Sequence, residues 1–162
     1  MTKEELCLRQ LGAWECIQNT PHHIYSVGKH TEKVVQYCIE HGASEELTKA
    51  AWLHDAGKMS AKTSDKEGCD HFPDHPAISA KIAEELGESE YVINLIYYHD
   101  AHRDKDVPYE KLASKGRKWC NELGILMMGD LAAQNPTFNI EEKLKDRQTF
   151  LKKLKDKVDE IE

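Results

Sequence analysis

Residues 50–58 read AAWLHDAGK, and the position of the His-Asp pair within them decides the fold. Leu47, Ala50 and Ala51 stand seven, four and three residues before His54. Those spacings share one face of an α-helix, so an apolar stripe runs straight into an imidazole. Asp55 follows at the same helix end. Ser44 is placed to cap this helix, with Glu46 and Leu47 in its first turn, and the helix is expected to close near Gly57. Ionisable groups carried into an apolar stripe need partners, because each one buried alone costs several kcal/mol.

The pattern recurs on both sides of this segment. His30 shares a stripe with Val27, Val34 and Tyr37; Val92, Leu95 and Ile96 lead to His99; Leu123, Leu126 and Met127 lead to Asp130. A single buried histidine is ordinarily a core residue satisfied by one hydrogen bond. Several imidazoles and two carboxylates brought in at one helical phase must pair with one another or share a cation. Neutral imidazole and carboxylate together suit a borderline transition metal. His75 lies outside any stripe, at a helix start after a polar loop, where a role as cap or as a further member of the cluster is equally open.

The rest of the chain is also helical in period. A first helix is expected over 3–18, a second from about Ser26 to His41, and a loop over 60–74 (SAKTSDKEGCDHFPD). His75-Pro76 reopens a helix with Pro in the first turn, and Gly87 stops it. Helices are then expected over 90–99 and 109–135. From about 140 to 161, Leu144, Leu151, Leu154, Val158 and Ile161 mark one docking stripe on a charged amphipathic helix. The expected fold is therefore all-α: a compact multi-helix bundle with the metal site in its core, residues 1–162 forming one domain.

Composition bounds the function. Apolar residues make up 40% of the 162 positions and charged ones 31%, as in a soluble globule. A net charge of −7 disfavours a general grip on nucleic acid, while bound divalent ions would supply local positive charge for an anionic substrate. The five cysteines include no CxxC pair and read as free thiols, which with no apolar run near the N-terminus suggests a cytoplasmic protein without a membrane segment. A symmetric homodimer is the default expectation for oligomeric state.

The segments HTEKVVQY (30–37), AAWLHDAGK (50–58) and MMGDLAAQ (127–134), in that order, resemble those of the HD-domain superfamily of metal-dependent phosphohydrolases. HPAISAKIAEEL (75–86) and LIYYHD (95–100) resemble the extra histidine segments of members that hold a second metal. The resemblance implies a helical bundle in which His30, His54, Asp55 and Asp130 bind one divalent ion, and Asp55 bridges to a second held by His75 and His99. It implies one or two ions of iron, manganese, cobalt, nickel or zinc, which would lower the pKa of a water and position it for attack on phosphorus. Asp55 and Lys58 are the catalytic candidates, Lys58 as a cation for a substrate phosphate, although a helix-terminal lysine complementing the dipole reads the same way.

His71 and His102 read as solvated loop histidines or, alternatively, as substrate contacts or proton donors. His22, His23 and His41 carry no chemistry legible in the sequence, and Cys69-Asp70-His71 is poor evidence for structural zinc. The expected activity is hydrolysis of a phosphomonoester or phosphodiester of a small nucleotide or related metabolite. MMGDLAAQNP also resembles the HD portion of tRNA nucleotidyltransferases, which would mean RNA ends or 2′,3′-cyclic phosphates as substrates. A metal-containing nucleotide sensor without significant turnover is the non-enzymatic alternative.

Overall fold

The computed structural model describes residues 1–162. Helix α1 (Lys3–Gln10) leads through a 3-10 turn at Ala13–Glu15 into α2 (Val27–Glu40) and α3 (Glu45–Leu53). The short α4 (Lys58–Ala61), a two-stranded ladder, α5 (His75–Glu85) and α6 (Glu90–Tyr97) follow. A 3-10 turn at Ala101–Arg103, α7 (Tyr109–Ala113), α8 (Arg117–Ala132) and α9 (Ile140–Ile161) complete the order. The architecture is all-α, as the periodicity required. No helix is long and apolar enough to cross a membrane, and all five cysteines are free.

Side-chain caps start several of these helices where the sequence placed them. Ser44 Oγ accepts from the Leu47 amide at 3.1 Å, and Ser26 Oγ from the Lys29 amide at 3.2 Å. α2 packs against α3 and α8, α3 against α6, and α5 against α6, so the stripes close on one another. Val34, Leu47, Leu53, Leu95, Leu123 and Met127 are fully buried between them. Each of those stripes therefore delivers its polar member to the same interior.

Four features differ most clearly from expectation, besides α3 and α6, which end at Leu53 and Tyr97, short of the expected Gly57 and residue 99. The first helix stops at Gln10 rather than continuing to residue 18, and Leu11 and Ile17 are exposed. The turn swings Trp14 onto α2, where its indole donates to Glu32 Oε1 at 2.8 Å. The expected helix over 109–135 is two helices, because Gly116 at φ 101° adopts a backbone conformation closed to L side chains. That break lets α7 pack on α9 while α8 carries Asp130 inward. Within the expected loop, Thr63–Ser64 and Asp70–His71 form an antiparallel pair, too short to show as an alternating pattern. The buried Asp70 carboxylate holds it, accepting from Ser64 Oγ at 2.6 Å and the Asn19 amide at 2.8 Å.

The tail differs in a fourth way. The buried face of α9 is Arg147, Phe150, Leu154 and Val158, whereas Leu144 and Leu151 are half-buried and Ile161 is exposed. The face thus begins with a cation, which an apolar pattern could not reveal.

Candidate metal centre

His54 caps the C-terminal end of α3, and Asp55 sits in the turn before α4. α2 contributes His30 and α8 contributes Asp130. The ligand atoms of these four buried residues lie within 4.8 Å of one another. His30 Nε2 is 2.8 Å from Asp130 Oδ1 and 3.5 Å from Asp55 Oδ2. His54 Nε2 is 3.3 Å from Asp55 Oδ2 and 3.4 Å from Asp130 Oδ1.

The other oxygen of Asp55 faces a second group. His75 Nε2 lies 3.3 Å and His99 Nε2 3.7 Å from Asp55 Oδ1. One carboxylate therefore spans two pairs of imidazoles, one on each oxygen. His75 reaches this position because Gly57 lets the His-Asp turn close on α5. A Cβ at residue 57 would stand 2.7 Å from the Ser79 amide nitrogen and 2.8 Å from the His75 carbonyl oxygen. The contact is sealed by the Gly57 amide donating to Ser79 Oγ at 2.8 Å.

All four rings are oriented the same way. Each directs Nδ1 at a backbone carbonyl: Ala133 for His30 at 3.0 Å, Ala51 for His54 at 2.7 Å, Phe72 for His75 at 3.1 Å and Ile96 for His99 at 2.6 Å. A carbonyl only accepts, so each Nδ1 carries the proton and each Nε2 turns toward the carboxylates. Nε2 lone pairs facing carboxylate oxygens repel unless a proton or a cation stands between them. His54 Nε2 and Asp55 Oδ2 are buried with no hydrogen-bond partner at all. Imidazoles anchored through Nδ1, a bridging carboxylate and orphaned donor atoms are what a divalent transition metal takes up. The residues fit such an ion in both groups.

Electrostatics agree with that fit. Burial alone would push the His54 imidazole down, but Asp55 and Asp130 overcome it and hold its pKa well above the ordinary value, so a proton and a cation compete for its Nε2. Burial would likewise raise the acids, yet His54 and Lys58 keep Asp55 well below the usual carboxylate range. Burial would raise Asp130 as well, but His30, whose Nε2 lies 2.8 Å from Oδ1, and then His54 keep it well below the usual carboxylate range. The carboxylates are thus ionised and available to a cation.

Lys58 is buried in the wall of the cavity. Its Nζ donates to Gln18 Oε1 at 2.6 Å and lies 3.4 Å from both Asp55 Oδ2 and His23 Nε2. Several neighbours carry no periodic signal in the sequence. His23 packs edge-on against the His30 ring at 4.9 Å, and burial, then Lys58, depresses its pKa to about 2. Asp100 Oδ2 lies 3.6 Å from His75 Nε2, so the second His-Asp dipeptide joins the site. Arg147 of α9 donates to the Met127 carbonyl at 3.2 Å and brings Nη2 to 3.8 Å from Asp130 Oδ2.

A cavity of about 790 Å³ opens onto these groups. His71 and His102 both line it. His71 is exposed and bonded to Asp65 Oδ2 at 2.9 Å. Burial and then Arg147 depress His102 to about 4, which leaves it neutral near pH 7 and better suited to contact than to proton donation. Asp65, Cys69 and His71 also cluster, but on the exposed surface.

A sequence model described as HD domain matches residues 27–135, two thirds of the chain. The matched span runs from the start of α2 through the end of α8 and contains His30, His54, Asp55, His75, His99 and Asp130. Proteins of that family bind divalent metals and are, in general, phosphohydrolases that depend on them. No curated protein matches the chain.

Proposed function

The chain belongs to the HD-domain family, and from that premise we propose that it hydrolyses a phosphate ester of a small nucleotide or related metabolite. The observation that carries this reading is Asp55, whose two oxygens face two separate histidine pairs. His30, His54, Asp55 and Asp130 would hold one divalent ion, and Asp55, His75 and His99 a second. When bound, such ions supply Lewis acidity, neutralising charge on phosphoryl oxygens and lowering the pKa of an attacking water.

The chain's own residues do the rest. The Nδ1 anchors fix each imidazole, so no reorganisation is needed when substrate arrives. Lys58, held between Gln18 and Asp55, directs a fixed ammonium along the cavity wall, where it binds a substrate phosphoryl oxygen. His23, neutral in this setting, accepts from that ammonium and keeps it in place. The cavity volume suits one small molecule rather than a polymer, in keeping with a net charge of −7.

The test is a panel of nucleoside monophosphates, cyclic nucleotides and dinucleotides offered to the manganese-, iron- or cobalt-loaded protein. Phosphate release that is lost in Asp55→Ala supports the reading; release that persists unchanged in that variant refutes it. A marked preference for 2′,3′-cyclic phosphates would move the substrate to RNA ends. Saturable nucleotide binding with no turnover under any metal would make the protein a sensor.

A further inference from the structure

The cavity is lined by four cationic side chains: Lys58, Arg103, Lys143 and Arg147. Three of them have an acid at hand. Lys58 is 3.4 Å from Asp55, Arg103 is 3.9 Å from Asp100 and Arg147 is 3.8 Å from Asp130. Lys143 is the exception, because its ammonium lies beside no carboxylate oxygen and donates to the neutral Gln134 Oε1 at 2.9 Å. Elsewhere on the same helix, Lys152, Lys155 and Lys157 each pair with a carboxylate.

Lys143 is also held in place. It lies 5.3 Å over the Phe138 ring, and its carbonyl accepts from Arg147 Nη1 at 3.4 Å. His22 packs edge-on to Phe138 at 5.0 Å, which rigidifies the same wall. Burial, then Arg147, lowers the Lys143 pKa, and Asp130 offsets this only in part. A half-buried ammonium with Arg147 nearby and no carboxylate within ion-pair distance is better satisfied when an anion from outside meets it.

We propose that Lys143, on the α9 wall of the cavity, is an anion subsite that receives a second phosphate group of the substrate. The inference rests on the phosphohydrolase reading above, in which the scissile phosphate lies against Asp55 and Lys58. Lys143 stands on α9 and not on the His-Asp turn that carries Asp55 and Lys58, and in this proposal it meets a phosphate other than the one being cleaved. Residues 138 and 143 lie beyond the HD-domain match, which ends at 135, so this selectivity belongs to the chain's own C-terminal segment. The preferred substrates then carry two phosphates, as nucleoside diphosphates or nucleoside 3′,5′-bisphosphates do.

The experiment compares the 5′-monophosphate, 5′-diphosphate and 3′,5′-bisphosphate of one nucleoside, using the metal-loaded full chain. Wild type is expected to favour at least one two-phosphate substrate by about tenfold in kcat/KM, mainly through KM. Lys143→Gln lowers that preference by about the same factor, and Lys143→Arg retains it. Lys153→Gln, on the exposed side of α9, leaves it unchanged. With chelator present to stop turnover, calorimetry is expected to show the favoured two-phosphate nucleotide binding wild type more tightly than the monophosphate, and Lys143→Gln losing the difference. Equal preference in wild type, or a preference untouched by Lys143→Gln, overturns the subsite. No phosphate release from any of the three under any metal would instead overturn the phosphohydrolase reading itself.

Discussion

Replacing Arg147 by methionine keeps the aliphatic stem of the side chain and removes its guanidinium. The loss comprises a hydrogen bond to the buried Met127 carbonyl at 3.2 Å, a longer one to the Lys143 carbonyl at 3.4 Å, and the approach to Asp130 Oδ2 at 3.8 Å. A charged donor on a buried acceptor contributes about 1.5–3 kcal/mol, and the two longer contacts add little, so about 2–3 kcal/mol of stability should disappear. For a chain of this size that lowers Tm by roughly 4–12 °C. The second effect is on metal affinity. Asp130 loses the cation behind it, and removing a group that orients a ligating residue costs about 10–100-fold in affinity. Thermal unfolding by circular dichroism reads the first effect, and titration of a divalent ion against a competing chelator reads the second. If Arg147→Met leaves both unchanged, α9 is a passive cover and its contact with Asp130 has no consequence.

Further outcomes follow from other parts of the molecule. Gly57→Ala forces a methyl to within 2.8 Å of the His75 carbonyl and Ile78 Cβ, which pushes α5 away from the His-Asp turn. A loss of about 1–3 kcal/mol is expected in denaturant unfolding, together with preferential weakening of ion binding at His75 and His99. Glu4 concerns pH. Burial, then the neighbouring Glu88 carboxyl, raises its pKa from 4.5 to about 7. Below 4.5 the group is protonated in folded and unfolded chains alike; between 4.5 and 7 the unfolded chain gives up its proton first, so stability falls as pH rises and the penalty is complete above about 7. Glu4→Gln should therefore match wild type near pH 4.5 and exceed it by about 1–2 kcal/mol near pH 8, a full shift of about 3 being reduced by solvent screening. Chemical denaturation at the two pH values checks it, and a constant difference would contradict it.

The residues that announced themselves in the sequence are those where period and polarity conflict. His30, His54, His99 and Asp130 each interrupt an apolar stripe at helical spacing, and each is buried where the stripes meet. Helix breaks were harder to read, since the apolar phase runs on past Gly116 and only the backbone geometry there separates α7 from α8. His22, His23 and Gln18 were illegible because an aperiodic turn carries no face. Asp100 follows His99 out of the stripe, so helical phase does not place it in the site. Arg147 and Lys143 sit in a run of alternating Lys, Glu and Asp, where a cation turned inward has the same local sequence as one turned outward. Charge on α9 therefore reads as solvated face until the packing of that helix on α7 and α8 is known.

The most direct test of a shared cation at Asp55 is elemental analysis of the chain purified without chelator. Wild type should retain one or two equivalents of a divalent transition metal. His54→Ala should lose the ion of the first group, and His99→Ala should lower the total by weakening the second. A wild-type protein that binds no such metal even when supplied with it, or variants that retain the full wild-type content, would contradict the account.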